Sequence, residues 1–366
     1  MKIKVPFVRL DLQYINMKKE IDDAFVKVAS SGQYVLGPYT HKFETALAKL
    51  CKTEFAVTVA NGTDALIIGM KALGITNNDE VITAPNSFIA SAGAINAVGA
   101  IPVFADVCED HNINPDEIEK KITSKTKAIM PIHLTGRPAD MVSINDIAKR
   151  YGLFVIEDSA QAIGASLNNK PTGSLGDIGC FSLHPLKNLF VMGDGGFITL
   201  SCPWIYKKIV SLRNHGLINR NECTSYGYNS RLDEIHCAVG LEKLKSFDSI
   251  TKRFIEIAER YQNGLSKIVK CPTDKKNVKS VYHNFVITAD KRDDLKSFLE
   301  KNGIETKIHY PILICNQPAN KINILTSQSF PIAEKLNKTQ LSLPIYPELE
   351  NKKIDYVIKK INHFYA

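Results

Sequence analysis

One lysine and two upstream polar residues could carry out amine chemistry in this chain. Lys187 follows a short apolar run and lies between Pro185 and the glycine-rich turn Gly193–Gly196. Asp158 and Gln161 follow another apolar run further upstream. Pyridoxal 5′-phosphate (PLP) needs a lysine that forms a Schiff base with its aldehyde and a carboxylate that keeps its pyridine nitrogen protonated. We therefore predict that Lys187 and Asp158 are catalytic and that Gln161 contacts the phenolic oxygen of PLP.

Other residues fit the phosphate and the ring of the same cofactor. Gly62 and Thr63 begin a predicted helix, where unpaired backbone N–H groups and the helix dipole favour an anion. Ser182 precedes Lys187 closely enough to reach that phosphate, and Phe88 could stack on a flat heterocycle. Taken singly, each signal also fits a structural role. The helix start at Gly62 could be an ordinary capped turn, and Phe88 could be a core aromatic.

The pattern of apolar runs predicts the elements that position these residues. Residues 1–245 alternate short β-rich runs with helical periodicity, which favours a mostly parallel α/β sheet covered on both sides. Residues 246–366 contain long Lys/Glu-rich helical patterns and a few strands, such as one predicted over Val281–Ile287. We predict a large α/β domain over 1–245 and a smaller C-terminal α+β domain over 246–366.

Composition excludes several other classes of protein. The chain has 366 residues, 44% hydrophobic and 23% charged, as in ordinary globular proteins. No apolar run has the length of a membrane span, so we expect no membrane partner and a cytoplasmic location. The net charge of +8 comes without a nucleic-acid motif, so we expect no nucleic-acid partner. The eight cysteines form no Cys-x-x-Cys pair, which argues against a metal site.

The motifs together resemble the DegT/DnrJ/EryC1/StrS family of PLP-dependent sugar aminotransferases, which have the aspartate aminotransferase fold type I. The similarity runs over nearly the whole chain. The segments that carry it are Ser31–Pro38, Asn61–Leu66, Asp79–Thr83, Ile132–Gly136, Glu157–Gln161, Gly179–Asn188, Arg213–Gly216, Tyr228–Asp233 and Leu341–Pro344.

The resemblance implies a seven-stranded, mixed and mostly parallel sheet between helices. It gives Lys187, Asp158 and Gln161 the roles described above and implies that Phe88 stacks on the ring. It also implies that Gly62, Thr63 and Ser182 hold the phosphate. Asn229 would reach the phosphate of the neighbouring subunit's cofactor, which implies a homodimer with shared active sites.

The reaction implied by the resemblance moves an amino group from L-glutamate, sometimes glutamine, to a keto-sugar that is most often linked to a nucleoside diphosphate such as dTDP or UDP. The sugar would serve amino-sugar or surface-polysaccharide biosynthesis. The form of residues 229–233, Asn-Ser-Arg-Leu-Asp, favours 3-keto over 4-keto sugars. His184, His309 and Tyr310 would line the substrate site, although each also fits a purely structural role.

Other functions stay open at this point. A small phosphorylated ketone or a cyclitol ketone could replace the nucleotide sugar. A PLP-dependent sugar dehydratase is disfavoured because such relatives have histidine in place of the Schiff-base lysine, and Lys187 is present. A non-catalytic sensor with the same fold is a further alternative. His236 stands where many relatives carry glutamine and could be either a substrate-side change or an ordinary helix residue.

Overall fold

The computed structural model describes residues 3–265, 267–323 and 329–366. Its central feature is a seven-stranded sheet, with two smaller sheets beside it. The strands are β1 (Phe55–Val59), β2 (Glu80–Thr83), β3 (Ile101–Phe104), β4 (Thr126–Met130), β5 (Phe154–Asp158), β6 (Ser166–Leu167), β7 (Lys170–Pro171), β8 (Ile178–Ser182), β9 (Gly196–Leu200), β10 (Val278–Lys279), β11 (Phe285–Thr288) and β12 (Gln340–Leu343).

Helices cover the sheet and build the C-terminal part. They are α1 (Leu10–Asn16), α2 (Lys18–Ser31), α3 (Pro38–Cys51), α4 (Gly62–Ala72), α5 (Ala90–Ala97), α6 (Pro115–Glu119), α7 (Met141–Tyr151), α8 (Pro203–Leu212), α9 (Glu234–Leu244), α10 (Phe247–Leu265), α11 (Arg292–Lys301), α12 (Pro331–Thr339) and α13 (Asn351–Tyr365). No helix in the described part of the chain is both long and apolar enough to cross a bilayer.

The large sheet has the order β1-β9-β8-β5-β4-β2-β3. Strand β9 runs antiparallel to its neighbours β1 and β8, and the remaining neighbours pair in parallel. The prediction of a mixed, mostly parallel seven-stranded sheet is therefore confirmed. Because β1, β2, β4, β5 and β8 all run the same way, their carboxyl ends meet at one edge, where α/β sheets bind ligands.

The continuous apolar runs of the sequence become strands that are buried on both faces, as is usual for parallel sheets. In β5, Val155 packs in the core cluster that contains Ile144 of α7, whereas Ile156 packs in the cluster that contains Ile68 of α4. Helices therefore cover both faces of the sheet. This packing on both faces fixes the place of β5 in the sheet and positions Asp158 at its end.

The C-terminal part has its own core around the two-stranded sheet of β11 and β12. Phe285 and Leu343 pack there with Tyr261 of α10, and Val5 of the N-terminal segment joins them. Phe330, by contrast, belongs to the core cluster of the large sheet. The division of the chain at residue 246 stays a prediction, because segments from both ends of the chain cross it.

The strand predicted over Val281–Ile287 is wrong in its first half. Strand β11 begins only at Phe285, because Tyr282 has a left-handed backbone with φ 49°. The Val281 N–H donates to the Gly136 carbonyl instead of to a neighbouring strand. The apolar and aromatic residues of this segment are typical of a strand, but the backbone is diverted towards the loop after β4.

Candidate active site

The predicted site residues meet at the carboxyl edge of the large sheet. Asp158 ends β5, Ser182 ends β8, and the loop after β8 carries Lys187. Gly62 begins α4 directly after β1, and Phe88 lies between β2 and α5. Residues distant in sequence are therefore neighbours, because parallel strands deliver their carboxyl ends to the same place.

Asp158 is a buried carboxylate with two local donors. The Ser91 hydroxyl donates to its Oδ2 (2.9 Å), and the Ala160 N–H donates to its Oδ1 (3.2 Å). Burial raises the pKa of Asp158, an effect opposed first by the Ser91 hydrogen bond and then by Ala160 and the nearby Lys187. A carboxylate so held has lone pairs left for a protonated pyridine nitrogen, which would offset the cost of burying the charge.

Ser91 itself is not evident from the sequence. It lies on α5, after a strand that ends well before it, and only the packing of α5 brings its hydroxyl to Asp158. The signal that could have found it is a small hydroxyl residue in the first turn of the helix after Phe88.

Lys187 lies in a tight turn, in which its own N–H donates to the His184 carbonyl (2.8 Å). Burial lowers the pKa of Lys187 to about 8, and the negative charge of Asp158 offsets part of that effect. A lysine with a lowered pKa has more of its amine neutral at ordinary pH. It can then attack an aldehyde or accept a proton.

Gln161 is oriented by two hydrogen bonds. Its Oε1 accepts from the Thr135 N–H (2.8 Å), and its Nε2 donates to the Tyr310 hydroxyl (3.3 Å). Burial raises the pKa of Tyr310 to about 12, so this hydroxyl is protonated at neutral pH. The N–H side of the amide therefore faces the space between Tyr310 and the sheet edge, which suits the phenolic oxygen of PLP.

Phe88 lies beside Tyr310, with ring centroids 5.7 Å apart and the rings tilted by 44°. Its side chain is 54% exposed, which is unusual for a core aromatic. The alternative of a core role for Phe88 is thus disfavoured, and one face of the ring is free to stack on a ligand.

The start of α4 provides a phosphate cradle. Asn61 caps the helix by accepting from the Asp64 N–H (2.8 Å), and no hydrogen bond to the N–H of Gly62 or Thr63 occurs within the described residues. A Cβ on Gly62 would lie 2.8 Å from the Cβ of Ser182. Glycine is therefore required there, and the Ser182 hydroxyl borders the helix start.

Asn229 lies on an exposed segment that is anchored to the same turn. The neighbouring Ser230 hydroxyl donates to Asp64 Oδ2 (2.6 Å) and accepts from the Ala60 N–H (3.1 Å). The Asn229 side chain has no hydrogen bond within the part of the chain that the structure describes. Its predicted reach to a second subunit stays a prediction.

The three predicted substrate residues lie around the lysine loop. His184 is exposed, and its Nδ1 accepts from the Leu186 N–H (3.3 Å). The Nδ1 of His309 lies 2.9 Å from the Ser342 hydroxyl. Burial, together with the positive charge of Lys187, lowers the pKa of His309 to about 4, so the ring is neutral. Tyr310 contacts Gln161 and Phe88, as described above.

Glu157, next to Asp158, binds four donors although no role was predicted for it. Its Oε1 accepts from the N–H groups of Leu175 and Gly176 (both 2.7 Å), and its Oε2 accepts from Gly173 N–H (2.8 Å) and His133 Nε2 (2.9 Å). The Ala139 N–H donates to His133 Nδ1 (3.0 Å), so the proton of this imidazole must be on Nε2. Four donors require a deprotonated carboxylate.

His236 supports the lysine loop from α9. Its Nδ1 donates to the Val191 carbonyl (2.8 Å), and a Cβ on Gly193 would lie 2.6 Å from its ring. Of the two possibilities considered for His236, these contacts favour a structural one.

The residues at this edge fit PLP by their own chemistry. The unpaired N–H groups of Gly62 and Thr63 at the start of α4 suit a phosphate. The buried carboxylate of Asp158 suits a pyridinium nitrogen, and Lys187, with its lowered pKa, suits an aldehyde. Among residues 3–265, 267–323 and 329–366, no group of three or more His, Cys, Asp or Glu side chains is arranged to hold a metal ion.

Comparison with known proteins agrees with this geometry. The DegT/DnrJ/EryC1/StrS aminotransferase family profile matches residues 15–362. The chain is 42% identical to dTDP-3-amino-3,6-dideoxy-alpha-D-galactopyranose transaminase from Aneurinibacillus thermoaerophilus, over 98% of this chain and 99% of that protein. It is 39% identical to a pleiotropic regulatory protein from Geobacillus stearothermophilus, over 99% of both.

Structural comparison gives the same result. The crystal structure of Streptomyces venezuelae DesV in complex with a ketimine intermediate has a TM-score of 0.97 and 37% identity, covering 100% of this chain and 99% of that one. Other relatives are named as aminotransferases of UDP-linked sugars and of 3-oxo-glucose-6-phosphate, and another is named GDP-perosamine synthase. The chain belongs to the DegT/DnrJ/EryC1/StrS family and is a PLP-dependent aminotransferase.

Proposed function

We propose that this aminotransferase moves the amino group of L-glutamate to the keto carbon of a nucleotide-linked 3-keto hexose in amino-sugar biosynthesis. The observation that carries the proposal is the convergence of Lys187, Asp158 and Gln161 at one sheet edge, with a phosphate cradle beside them. The choice of a 3-keto sugar is supported by the 42% identical dTDP-3-amino-sugar transaminase. The choice of glutamate is supported by a relative named for that donor.

Each residue has a definite part in this reaction. PLP held by these residues would supply the aldehyde and the electron sink through which an amino group can be transferred. The Lys187 amine holds the cofactor and then moves a proton at the reacting carbon, for which a pKa near neutrality is favourable. Asp158 stabilises positive charge at the pyridine nitrogen, and Gln161 donates to the phenolic oxygen. Gly62, Thr63 and Ser182 hold the phosphate, and Phe88 stacks on the ring.

We further propose that the enzyme is a homodimer in which Asn229 completes the phosphate site of the partner. The exposure of Tyr226, three residues before Asn229, supports a buried role for this segment in an assembly, because this aromatic side chain is fully exposed in the single chain. A mixture of Lys187→Ala and Asn229→Ala subunits tests this directly. Each variant alone is expected to be impaired, and co-refolded hybrids are expected to regain part of the activity at one of their two sites. No recovery in hybrids would contradict shared sites.

A cytoplasmic location is also proposed. The eight cysteines are all free thiols, as is usual in a reducing compartment. Cell fractionation with an antibody against the chain tests this point.

The reaction is tested with purified protein and a panel of acceptors, with L-glutamate as donor and 2-oxoglutarate as the product measured. The panel contains dTDP- and UDP-linked 3-keto hexoses, a 4-keto hexose and 3-oxo-glucose 6-phosphate. We expect the fastest turnover with a nucleotide-linked 3-keto hexose and none with Lys187→Ala. Faster turnover of 3-oxo-glucose 6-phosphate would instead favour a phosphorylated ketone as the acceptor. That alternative is supported by a Bacillus subtilis relative named as an aminotransferase of this compound. A cofactor spectrum unchanged by glutamate would favour a sensor.

A further inference from the structure

The segment Val281–Asn284 has a costly backbone at the edge of the active site. Tyr282 is a non-glycine residue at φ 49°, a conformation that side chains with a Cβ rarely adopt. It is held there by its hydroxyl, which donates to Asp274 Oδ2 (3.2 Å) and lies 3.4 Å from Gln262 Nε2. Such conformations persist where the surrounding structure imposes them, and they concentrate at functional sites.

The strained backbone directs the segment between the loop after β4, which contains Thr135 and Gly136, and the loop that carries Lys187. On one side, the Val281 N–H donates to the Gly136 carbonyl (2.9 Å) and the Asn284 N–H donates to the Thr135 carbonyl (3.4 Å). Thr135 is the residue that orients Gln161. On the other side, Asn188, which follows Lys187, donates from Nδ2 to the Val281 carbonyl (3.0 Å).

His283 lies at the centre of this segment and is anchored to the lysine loop. Its Nδ1 is 3.2 Å from Asn188 Oδ1. Because Asn188 uses its Nδ2 to donate to a carbonyl, its Oδ1 is the atom that faces the imidazole and can only accept. The proton of His283 is therefore on Nδ1, and Nε2 carries a lone pair.

The surroundings keep this imidazole neutral. Burial holds the pKa of His283 well below its usual range, and the nearby Lys187, His309 and His184 lower it further. No group in the described residues donates a hydrogen bond to Nε2. His283 as a residue keeps some solvent exposure, so a ligand can reach it. The free Nε2 of His283, close to Lys187, is therefore suited to accept a hydrogen bond from a group on the bound substrate.

We propose that His283 binds the acceptor sugar: its Nε2 accepts a hydrogen bond from a hydroxyl group of the keto-sugar as that sugar lies beside Lys187. The proposal rests on the keto-sugar aminotransfer proposed above. L-Glutamate has no hydroxyl, so this hydrogen bond belongs to the sugar half of the reaction alone.

That asymmetry provides the experiment, because the two halves of the reaction can be measured separately. The holoenzyme is mixed with L-glutamate, or with dTDP-3-amino-3,6-dideoxy-α-D-galactose as the amino-sugar probe, and the cofactor absorbance is followed in a stopped-flow instrument. His283→Phe removes the acceptor atom, and His283→Gln places an amide oxygen near the position of Nε2. His41→Phe, at an exposed histidine of α3, is the matched control.

We expect His283→Phe to react with glutamate at a rate within about twofold of wild type. In the amino-sugar half-reaction, we expect its second-order rate constant to fall by about 10- to 100-fold. His283→Gln should recover part of that loss, and His41→Phe should match wild type in both halves. The normal glutamate half shows that the variant is folded and holds its cofactor.

Two results would overturn the role of His283. An equal loss in both halves would mean that His283 acts on the lysine loop and not on the sugar. An unchanged amino-sugar half in His283→Phe would mean that Nε2 binds no hydroxyl. A wild type that reacts with glutamate but neither with the dTDP-amino-sugar probe nor with any nucleotide-linked keto hexose of the panel would instead contradict the proposed function, and the sugar role of His283 with it.

Discussion

Replacing Glu157 by glutamine tests the four buried hydrogen bonds that this carboxylate accepts next to Asp158. The side chain is fully buried and accepts from three backbone N–H groups and one imidazole N–H. Glutamine has nearly the same shape, but its amide NH2 cannot accept. Whichever way the amide turns, its NH2 meets two donors: either Leu175 and Gly176, or Gly173 and His133.

The expected cost follows from those contacts. A hydrogen bond to a charged group contributes about 1.5–3 kcal/mol, so losing two lowers the free energy of unfolding by about 3–6 kcal/mol. That is a large part of the total stability of a typical protein, about 5–15 kcal/mol. Glu157→Gln should therefore fold poorly, although it touches neither substrate nor cofactor in our assignment of roles.

Urea unfolding of the cofactor-free protein, followed by far-UV circular dichroism, measures this difference without a contribution from PLP binding. Glu119→Gln is the control, because Glu119 pairs with Arg150 and Tyr151 on the exposed surface, and its free energy of unfolding should stay near that of wild type. A loss of less than about 1 kcal/mol in Glu157→Gln, no more than an average substitution, would refute the assignment of four donors to an ionised Glu157.

Three further predictions concern the cofactor. Lys187→Ala should bind PLP without the absorbance band of the lysine-bound cofactor and lose all transfer from glutamate; retention of that band would place the covalent bond on another lysine. Because burial lowers the pKa of Lys187 to about 8 in the cofactor-free chain, its neutral, reactive amine predominates above that pH. The stopped-flow rate of PLP attachment should rise with pH and level off above about 8, and a rate that climbs on towards the ordinary lysine value of about 10.4 would contradict this. Gly62→Ala puts a Cβ 2.8 Å from the Cβ of Ser182 and should raise the Kd for PLP about 5- to 150-fold, whereas Gly93→Ala, where the added Cβ meets nothing within 4 Å, should leave the Kd unchanged. Equal Kd values for the two glycine variants would show that the turn at Gly62 is wider than described.

The meeting of the predicted site residues at one sheet edge could be foreseen from the sequence. Lys187, Asp158 and Gln161 follow apolar runs that the sequence predicts as buried strands, and the carboxyl ends of parallel strands meet at one edge. Strands β5 and β8 coincide with these runs, as expected for continuous apolar segments that are buried between two layers of helices. Residue type and strand order are enough to place such groups at one edge.

The supporting contacts could not be predicted in this way. Ser91 reaches Asp158 only because of the way α5 packs on the sheet. No pattern in the sequence relates a residue of α5 to the end of β5, which lies far along the chain. The strand predicted from Val281 failed because local β preference was outweighed by hydrogen bonds to the loop at Gly136. Contacts between segments far apart in the chain depend on the packing of the whole fold.

The sequence by itself determined the cofactor chemistry, a mostly parallel sheet covered on both sides and the resemblance to the family, since these depend on residue types, on their order and on the period of the apolar pattern. Only the tertiary structure decided the protonation and orientation of the groups around Lys187. Asn188 assigns the proton of His283 to Nδ1, Ala139 assigns that of His133 to Nε2, and burial lowers the pKa of the lysine. The physical reason is that tautomers and pKa values follow from which donors, acceptors and charges surround a group in space, and the linear order of residues does not specify those neighbours.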